Sequence, residues 1–78
     1  MDPKDLILIN VKALVDNPEQ VSINEVDDGH TVVYKLTVAK SDLGKVIGKE
    51  GRNAIAIRTI LNAIAGKTRK RLKLEIVE

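Results

Sequence analysis

Gly48-Lys49-Glu50-Gly51 is the stretch of this 78-residue sequence in which permissive backbone, positive charge and a helix start coincide. Two glycines bracket a charged pair. Val46-Ile47 leads in, and Arg52-Asn53-Ala54-Ile55-Ala56-Ile57-Arg58 leads out with a helical pattern. Glycine lets the chain turn tightly and removes the Cβ that would hold a ligand off. The first N–H groups of a helix lack partners inside it, and with the helix dipole they favour an anion. Lys49 and Arg52, with Lys45 one turn earlier, add mobile positive charge. This chemistry suits a phosphate-bearing ligand. Taken alone, the same pattern also describes a plain turn between two helices.

Other chemistries lack their residues. One histidine, His30, and no cysteine cannot assemble a nucleophile with its base, a thiolate metal site or a disulfide framework. The carboxylates fall mostly in turns and on exposed faces, so no acid–base pair is supported. Gly66-Lys67-Thr68 has the ending of a P-loop, but Leu61 stands where its first glycine belongs, and the segment follows a helix instead of preceding one. Gly44-Lys45-Val46-Ile47-Gly48-Lys49 fails as well, with a glycine spacing one short and Glu50 where Ser or Thr is required. A protein without catalytic activity, metal or cofactor is expected.

Charge is unevenly placed. Residues 1–38 carry three lysines against seven carboxylates, a net of −4, whereas residues 39–78 carry ten Lys or Arg against four carboxylates, a net of +6. The basic half contains the glycine loop. Such segregation fits either a polyanionic partner on one side of the fold or solvated charged faces. Tyr34 is the sole aromatic residue, which disfavours modules that stack bases on aromatic platforms. No apolar run approaches the roughly 20 residues of a membrane span, and the N-terminus lacks the basic region of a signal peptide. A soluble cytoplasmic protein is expected, built as one domain over residues 1–78 around a thin core drawn from 26 Ile, Leu and Val residues.

The elements that must position the loop are legible in turn. Asp2-Pro3 opens a helix whose apolar side includes Leu6, Ile7, Val11 and Leu14, and Asn17-Pro18 closes it. Val21 and Ile23 begin a strand. Val26 is out of phase with them, which predicts a bulge or an early end near Glu25. Asp27-Asp28-Gly29-His30 predicts a two-residue type I′ hairpin turn, with His30 as a surface residue. Val32, Tyr34, Leu36 and Val38 share one face of the next strand. Ser41 or Asp42 caps a short helix that ends at Gly48. A long helix runs from about Arg52 to Ala65 with Ala54, Ile57, Ile60, Leu61 and Ile64 on its core face and Gly66 as its stop. Leu72, Leu74 and Ile76 alternate in a last strand. The order is α-β-β-α-α-β, an α+β chain with a three-stranded mixed sheet and helices on one face.

Val46-Ile47-Gly48-Lys49-Glu50-Gly51-Arg52 in that element order resembles the type II (prokaryotic) KH domain, with its V-I-G-x-x-G motif. Over its whole length, through Gly48 to Arg58, the sequence is similar to the KhpA (YlqC) family of small bacterial single-KH RNA-binding proteins. Ala54, where many KH domains have Ile, and the acidic Glu50 depart from the general pattern. The resemblance implies a clamp on about four nucleotides of single-stranded RNA. Gly48 and Gly51 would allow close approach, Lys45, Lys49 and Arg52 would meet phosphates, and Leu43, Ile47 and Ala54 would line a groove against a strand edge. Ile57 belongs either to that groove or to the core. Glu50 offsets part of the loop's charge and shifts the expected grip toward backbone N–H groups. Arg69-Lys70-Arg71 either extends the RNA surface or solvates the last strand, and Arg58 is expected as a surface ion-pair partner.

Ile55, Thr59 and Asn62, flanked by Ala56 and Ala63, point away from the core and suit close packing with a second chain. A homodimer is expected there. The resemblance adds pairing with a larger Jag-type KH protein (KhpB) and a role as RNA chaperone or post-transcriptional regulator. The rival expectation is a protein-interaction or ribosome-assembly adaptor on the same fold.

Overall fold

The computed structural model describes residues 2–77. Helix α1 spans Pro3–Leu14, β1 Ser22–Asp27, β2 Thr31–Thr37, α2 Leu43–Ile47, α3 Arg52–Thr68 and β3 Arg71–Ile76, with single 3₁₀ turns at Pro18–Gln20, Lys40–Asp42 and Lys49–Gly51. This is the α-β-β-α-α-β order read from the sequence. The sheet order is β1-β2-β3, with β1 antiparallel and β3 parallel to β2. A parallel partner needs a crossover, and α2 with α3 supplies it.

Alternation decides which face is covered. Val32, Tyr34 and Leu36 of β2 and Leu72 and Leu74 of β3 are buried, and they meet Ile7, Val11, Val46, Ile57 and Leu61 from the helices in one core. Tyr34 is the core's one aromatic ring. Burial raises its phenol pKa to about 12, assisted by the charges of Glu25 and Asp2.

Helix α1 begins as expected, with Pro3 in the first turn and the Asp2 carboxylate accepting the Lys4 N–H at 3.3 Å. Its buried stripe is narrower than its apolar composition. Ile7 and Val11 are covered, while Ile9 is 56% exposed and Leu14 also faces solvent, because only the i, i+4 row meets the sheet.

Several local expectations are corrected. No bulge interrupts β1, since pairing runs unbroken from Ser22↔Thr37 to Asp27↔Val32. Val26 instead stands opposite Val33 on the uncovered face, and Glu25 takes the place across from Tyr34. The hairpin turn is centred on Gly29-His30, one residue later than expected, and of these only Gly29 has positive φ, 94°. The cause is local: the Asp28 carboxylate accepts the N–H groups of His30 at 2.8 Å and Thr31 at 2.7 Å, and the Asp28 N–H reaches the Thr31 carbonyl.

Helix α3 does not stop at Gly66. It continues to Thr68 and ends where Arg69 adopts a left-handed conformation, φ 61°. The Arg71 N–H donates to the His30 carbonyl at 3.0 Å and fixes where β3 must begin. Ile60 is exposed rather than central, because Ala54, Ile57 and Leu61 are the α3 residues that are covered. Ile60 lies to one side, beside Ala13 and Leu14 of α1.

Candidate nucleic-acid interface

The loop between α2 and α3 is built from three successive backbone departures. Gly48 sits at φ 78°, ψ 170°, a region that only glycine occupies readily. Glu50 follows at φ 58°, ψ 26° and Gly51 at φ 74°, ψ 12°, both left-handed. The two glycines differ in role. A Cβ on Gly48 would stand 2.8 Å from the Asn53 side chain and 2.9 Å from the Asn53 nitrogen, whereas a Cβ on Gly51 would meet only the tip of Ile55 at 4.0 Å. Gly48 therefore makes room for Asn53, and Gly51 faces open space. Asn53 uses the room to donate from Nδ2 to the Lys45 carbonyl at 2.8 Å, tying the end of α2 to the start of α3.

Two of the N–H groups expected to be free are engaged. Gly51 N–H donates to the Gly48 carbonyl at 3.1 Å, and Arg52 N–H donates to the Lys49 carbonyl. Lys49 is exposed, and the Arg52 guanidinium lies 3.9 Å from the Glu50 carboxylate with both side chains in solvent, where such a pair contributes little. Lys45 turns toward α1 and pairs with Asp16, which raises its pKa through the hydrogen bond.

Asp42 was expected as a possible cap for α2, but its carboxylate makes no cap bond there. It is 1% exposed. It accepts the Asp16 N–H at 3.2 Å, the Asn17 N–H at 3.0 Å and the Asn17 Nδ2–H at 3.1 Å. Burial pushes its pKa up, but these donors and nearby Lys45 outweigh that and hold it below the ordinary carboxylate value. The approach to the glycine loop is thereby anchored to the end of α1.

Beside the loop lies an open cleft of about 500 Å³ between α3 and β3, lined by Ile47, Gly51, Ala54, Ile55, Arg58, Leu74, Glu75 and Ile76. Ile47 and Ala54 both line this cleft. Leu43 is not in this cleft and lines a separate hollow with Val38 and Val77. Ile57 belongs to the core. Arg58 makes no carboxylate pair among the described residues and lines the cleft instead. The strand edge along the cleft is that of β3, whose Leu74, Glu75 and Ile76 were not named as its lining from the sequence. The spacing of Ala54 and Arg58 at i and i+4, together with an edge strand after a parallel crossover, is the signal that could have found it.

Ile55, Ala56, Thr59, Asn62 and Ala63 are all exposed. They do not share one neighbourhood. Ile55 lines the cleft, Asn62 the β3 side further along, and Ala56 the hollow toward α1. Among the described residues there is no cluster of His, Cys, Asp or Glu able to hold a metal, and no helix is long and apolar enough to cross a membrane.

The family model described as the KhpA/KhpB KH domain matches residues 4–76. The RNA-binding protein KhpA of Chlamydia caviae is 52% identical over 75 residues, covering 96% of each chain. Its counterpart in Listeria monocytogenes serovar 1/2a is 49% identical, covering 96% of this chain and 99% of its own. That of Aquifex aeolicus is 51% identical over 96% of this chain and 95% of its own. No solved structure matches the chain.

Proposed function

This chain belongs to the KhpA/KhpB family of KH domains, and on that premise we propose that it binds single-stranded RNA through the Gly48–Gly51 loop and the cleft beside it. The observation that carries the reading is the asymmetry of the two glycines. Gly48 is required by the protein's own packing, but Gly51 leaves its Cβ side open toward an apolar cleft, which is the opening a nucleotide backbone needs. Lys49 and Arg52 flank that opening and meet phosphates, while Ile47 and Ala54 receive bases by shape.

The family is one of RNA-binding KH proteins, not of enzymes. A single KH unit contacts few nucleotides, so useful affinity follows from pairing two units. We propose that the second unit comes from a homodimer, or from pairing with the larger Jag-type KH protein KhpB, through exposed α3 residues among Ile55, Ala56, Thr59, Asn62 and Ala63, in a cytoplasmic RNA chaperone or post-transcriptional regulator.

The test replaces Lys49→Asp and Glu50→Asp together. Asp tolerates the left-handed position better than Glu, so stability should stay near that of the parent. Affinity for single-stranded RNA should fall sharply, and the parent should show a salt slope of roughly −2 if about three phosphates are neutralised. RNA binding indifferent to both salt and the loop change would favour a protein adaptor.

A further inference from the structure

Strand β1 is one of the two edges of the sheet, and the cleft beside Gly51 lies at the other. The hairpin sets which way the β1 backbone groups point. Asp28 N–H donates to the Thr31 carbonyl, and in an antiparallel pair the bonded residues alternate. Val26, Asn24 and Ser22 therefore bond to β2, while the N–H and C=O groups of Ile23, Glu25 and Asp27 point away from the sheet. Among the described residues none of these outward groups has a hydrogen-bond partner. Such edges are commonly blunted by a bulge, a proline or a lysine. β1 has none of these: its pairing is unbroken, its sequence holds no Pro or Lys, and all of its residues but the half-buried Ile23 are exposed. Its guard is negative charge.

That charge also says what fits there. Residues 13–34 carry five carboxylates and no Lys or Arg. Asp16 is paired with Lys45, and Asp27 with Lys70. Glu19, Glu25 and Asp28 form no ion pair among the described residues. An edge of this sign repels RNA and a second copy of itself, and it attracts a cationic strand. The side chains of an added strand alternate between the two sheet faces. On one face they meet Glu25 and Asp27. On the other they meet Val26, which is 44% exposed opposite Val33.

We propose that the free edge of β1 receives a strand from a partner protein, an extended segment in which lysine or arginine alternates with aliphatic residues, held by main-chain pairing. The cations lie beside Glu25, and the aliphatic side chains lengthen the Val26–Val33 row. The edge offers about 20 Å, enough for six residues of partner. Because the Gly51 cleft is at the opposite edge, this surface leaves that cleft open, and it does not depend on the RNA reading.

The test measures a labelled octapeptide of alternating lysine and valine against the full chain by fluorescence anisotropy. Its companions are a glutamate–valine octapeptide and two lysine–valine peptides N-methylated on alternate backbone amides, one in each phase. The lysine–valine peptide should bind, and more weakly as salt rises. One methylated phase should lose at least about tenfold and the other should not, since only one set of amides faces β1. The glutamate peptide should not bind. In the protein, Glu25→Pro removes an outward N–H that β2 does not use, so the ladder survives. It should cost peptide affinity at least about tenfold and leave RNA affinity unchanged. Glu25→Gln should give a few-fold loss and a weaker salt dependence. Circular dichroism checks the fold, and should Glu25→Pro unfold, the two methylated peptides decide the matter on the parent alone. Equal binding of both methylated phases, binding of the glutamate peptide as tight as that of the lysine peptide, or no binding of the lysine peptide overturns the proposal. Self-association that Glu25→Pro abolishes, with no peptide bound, would assign the edge to a second copy of this chain and overturn it as well.

Discussion

The side-chain amide of Asn53 occupies the position a Cβ on Gly48 would face, 2.8 Å away, and from there it holds the Lys45 carbonyl. Gly48 is thus a packing residue of the helix–helix junction, and its neighbour Gly51 is not. Gly48→Ala combines a backbone region that other residues avoid with a collision. It should cost about 3 kcal/mol, whereas Gly51→Ala pays only the left-handed penalty, about 1 kcal/mol. Urea denaturation of the two variants measures the difference, and equal losses would refute the distinction. Asn53→Ala should not rescue Gly48→Ala, because the Asn53 backbone nitrogen is also within 2.9 Å.

Lys45 and Lys49 lie four residues apart and read alike in the sequence, yet only Lys49 is uncommitted. Lys49→Ala should make the RNA salt slope shallower by about 0.7. Lys45→Ala should leave the slope nearly unchanged, since Lys45 is paired with Asp16. Asp16→Asn releases Lys45 and should tighten RNA binding. Identical slopes for the two lysine variants would show that the Asp16 pair does not hold in solution.

Ile55 is 57% exposed on the outer side of α3, so Ile55→Glu should leave the fold intact. Sedimentation should show the parent as a dimer and the variant at half its mass. The same mass before and after removes this surface from the dimer.

Acid stability should report on Asp42. Its folded pKa is depressed from an ordinary value near 3.8, so its contribution is present above that value and is lost as pH falls through the lower, folded one. The Asp42 contribution should therefore be flat above about pH 5 and decline below pH 4, in the range where Asp27 and Asp28, also held below the ordinary carboxylate value, lose theirs. Asp42→Asn should lower the melting temperature at neutral pH and flatten the acid decline, read by thermal melts across that range. An unchanged acid profile would mean that the Asp16 and Asn17 N–H groups do not depend on the charged carboxylate.

At the alkaline end Tyr34 is both probe and contributor. Its phenol is raised from 10.0 to about 12 by burial and nearby carboxylates. The stabilisation is complete below pH 10 and is lost as pH rises toward 12. Tyrosinate absorbance should stay low in the folded protein at pH 11 and appear at that pH once urea unfolds it. Early ionisation in the folded state would place Tyr34 outside the core.

Much of the fold was legible because its signals are local. Asp2-Pro3 starts a helix through its own side chain and ring, Gly48 stops one through its missing Cβ, and the alternation of Leu72, Leu74 and Ile76 orients a strand whatever lies beside it. The misread places are those where a competing partner decided the outcome. Gly66 had the chemistry of a helix stop, but Arg69 became the stop because β3 begins where Arg71 meets the His30 carbonyl. Val26 broke the apolar phase without breaking the strand, because Val33 was available on the uncovered face.

By itself the sequence determined the element order, the glycine loop between two helices, the basic half of the chain and membership of a KH family. All of these depend on residue type and spacing along the chain. Tertiary structure alone decided that Asp42 binds Asp16 and Asn17 across 26 and 25 residues, that Lys45 turns away from the loop while Lys49 does not, and that Ile55 borders the cleft. It also set the open cleft between α3 and β3 beside Gly51. The physical reason is that hydrogen bonds, ion pairs and grooves belong to pairs of segments, and which segments meet is fixed only when the sheet has closed against its helices.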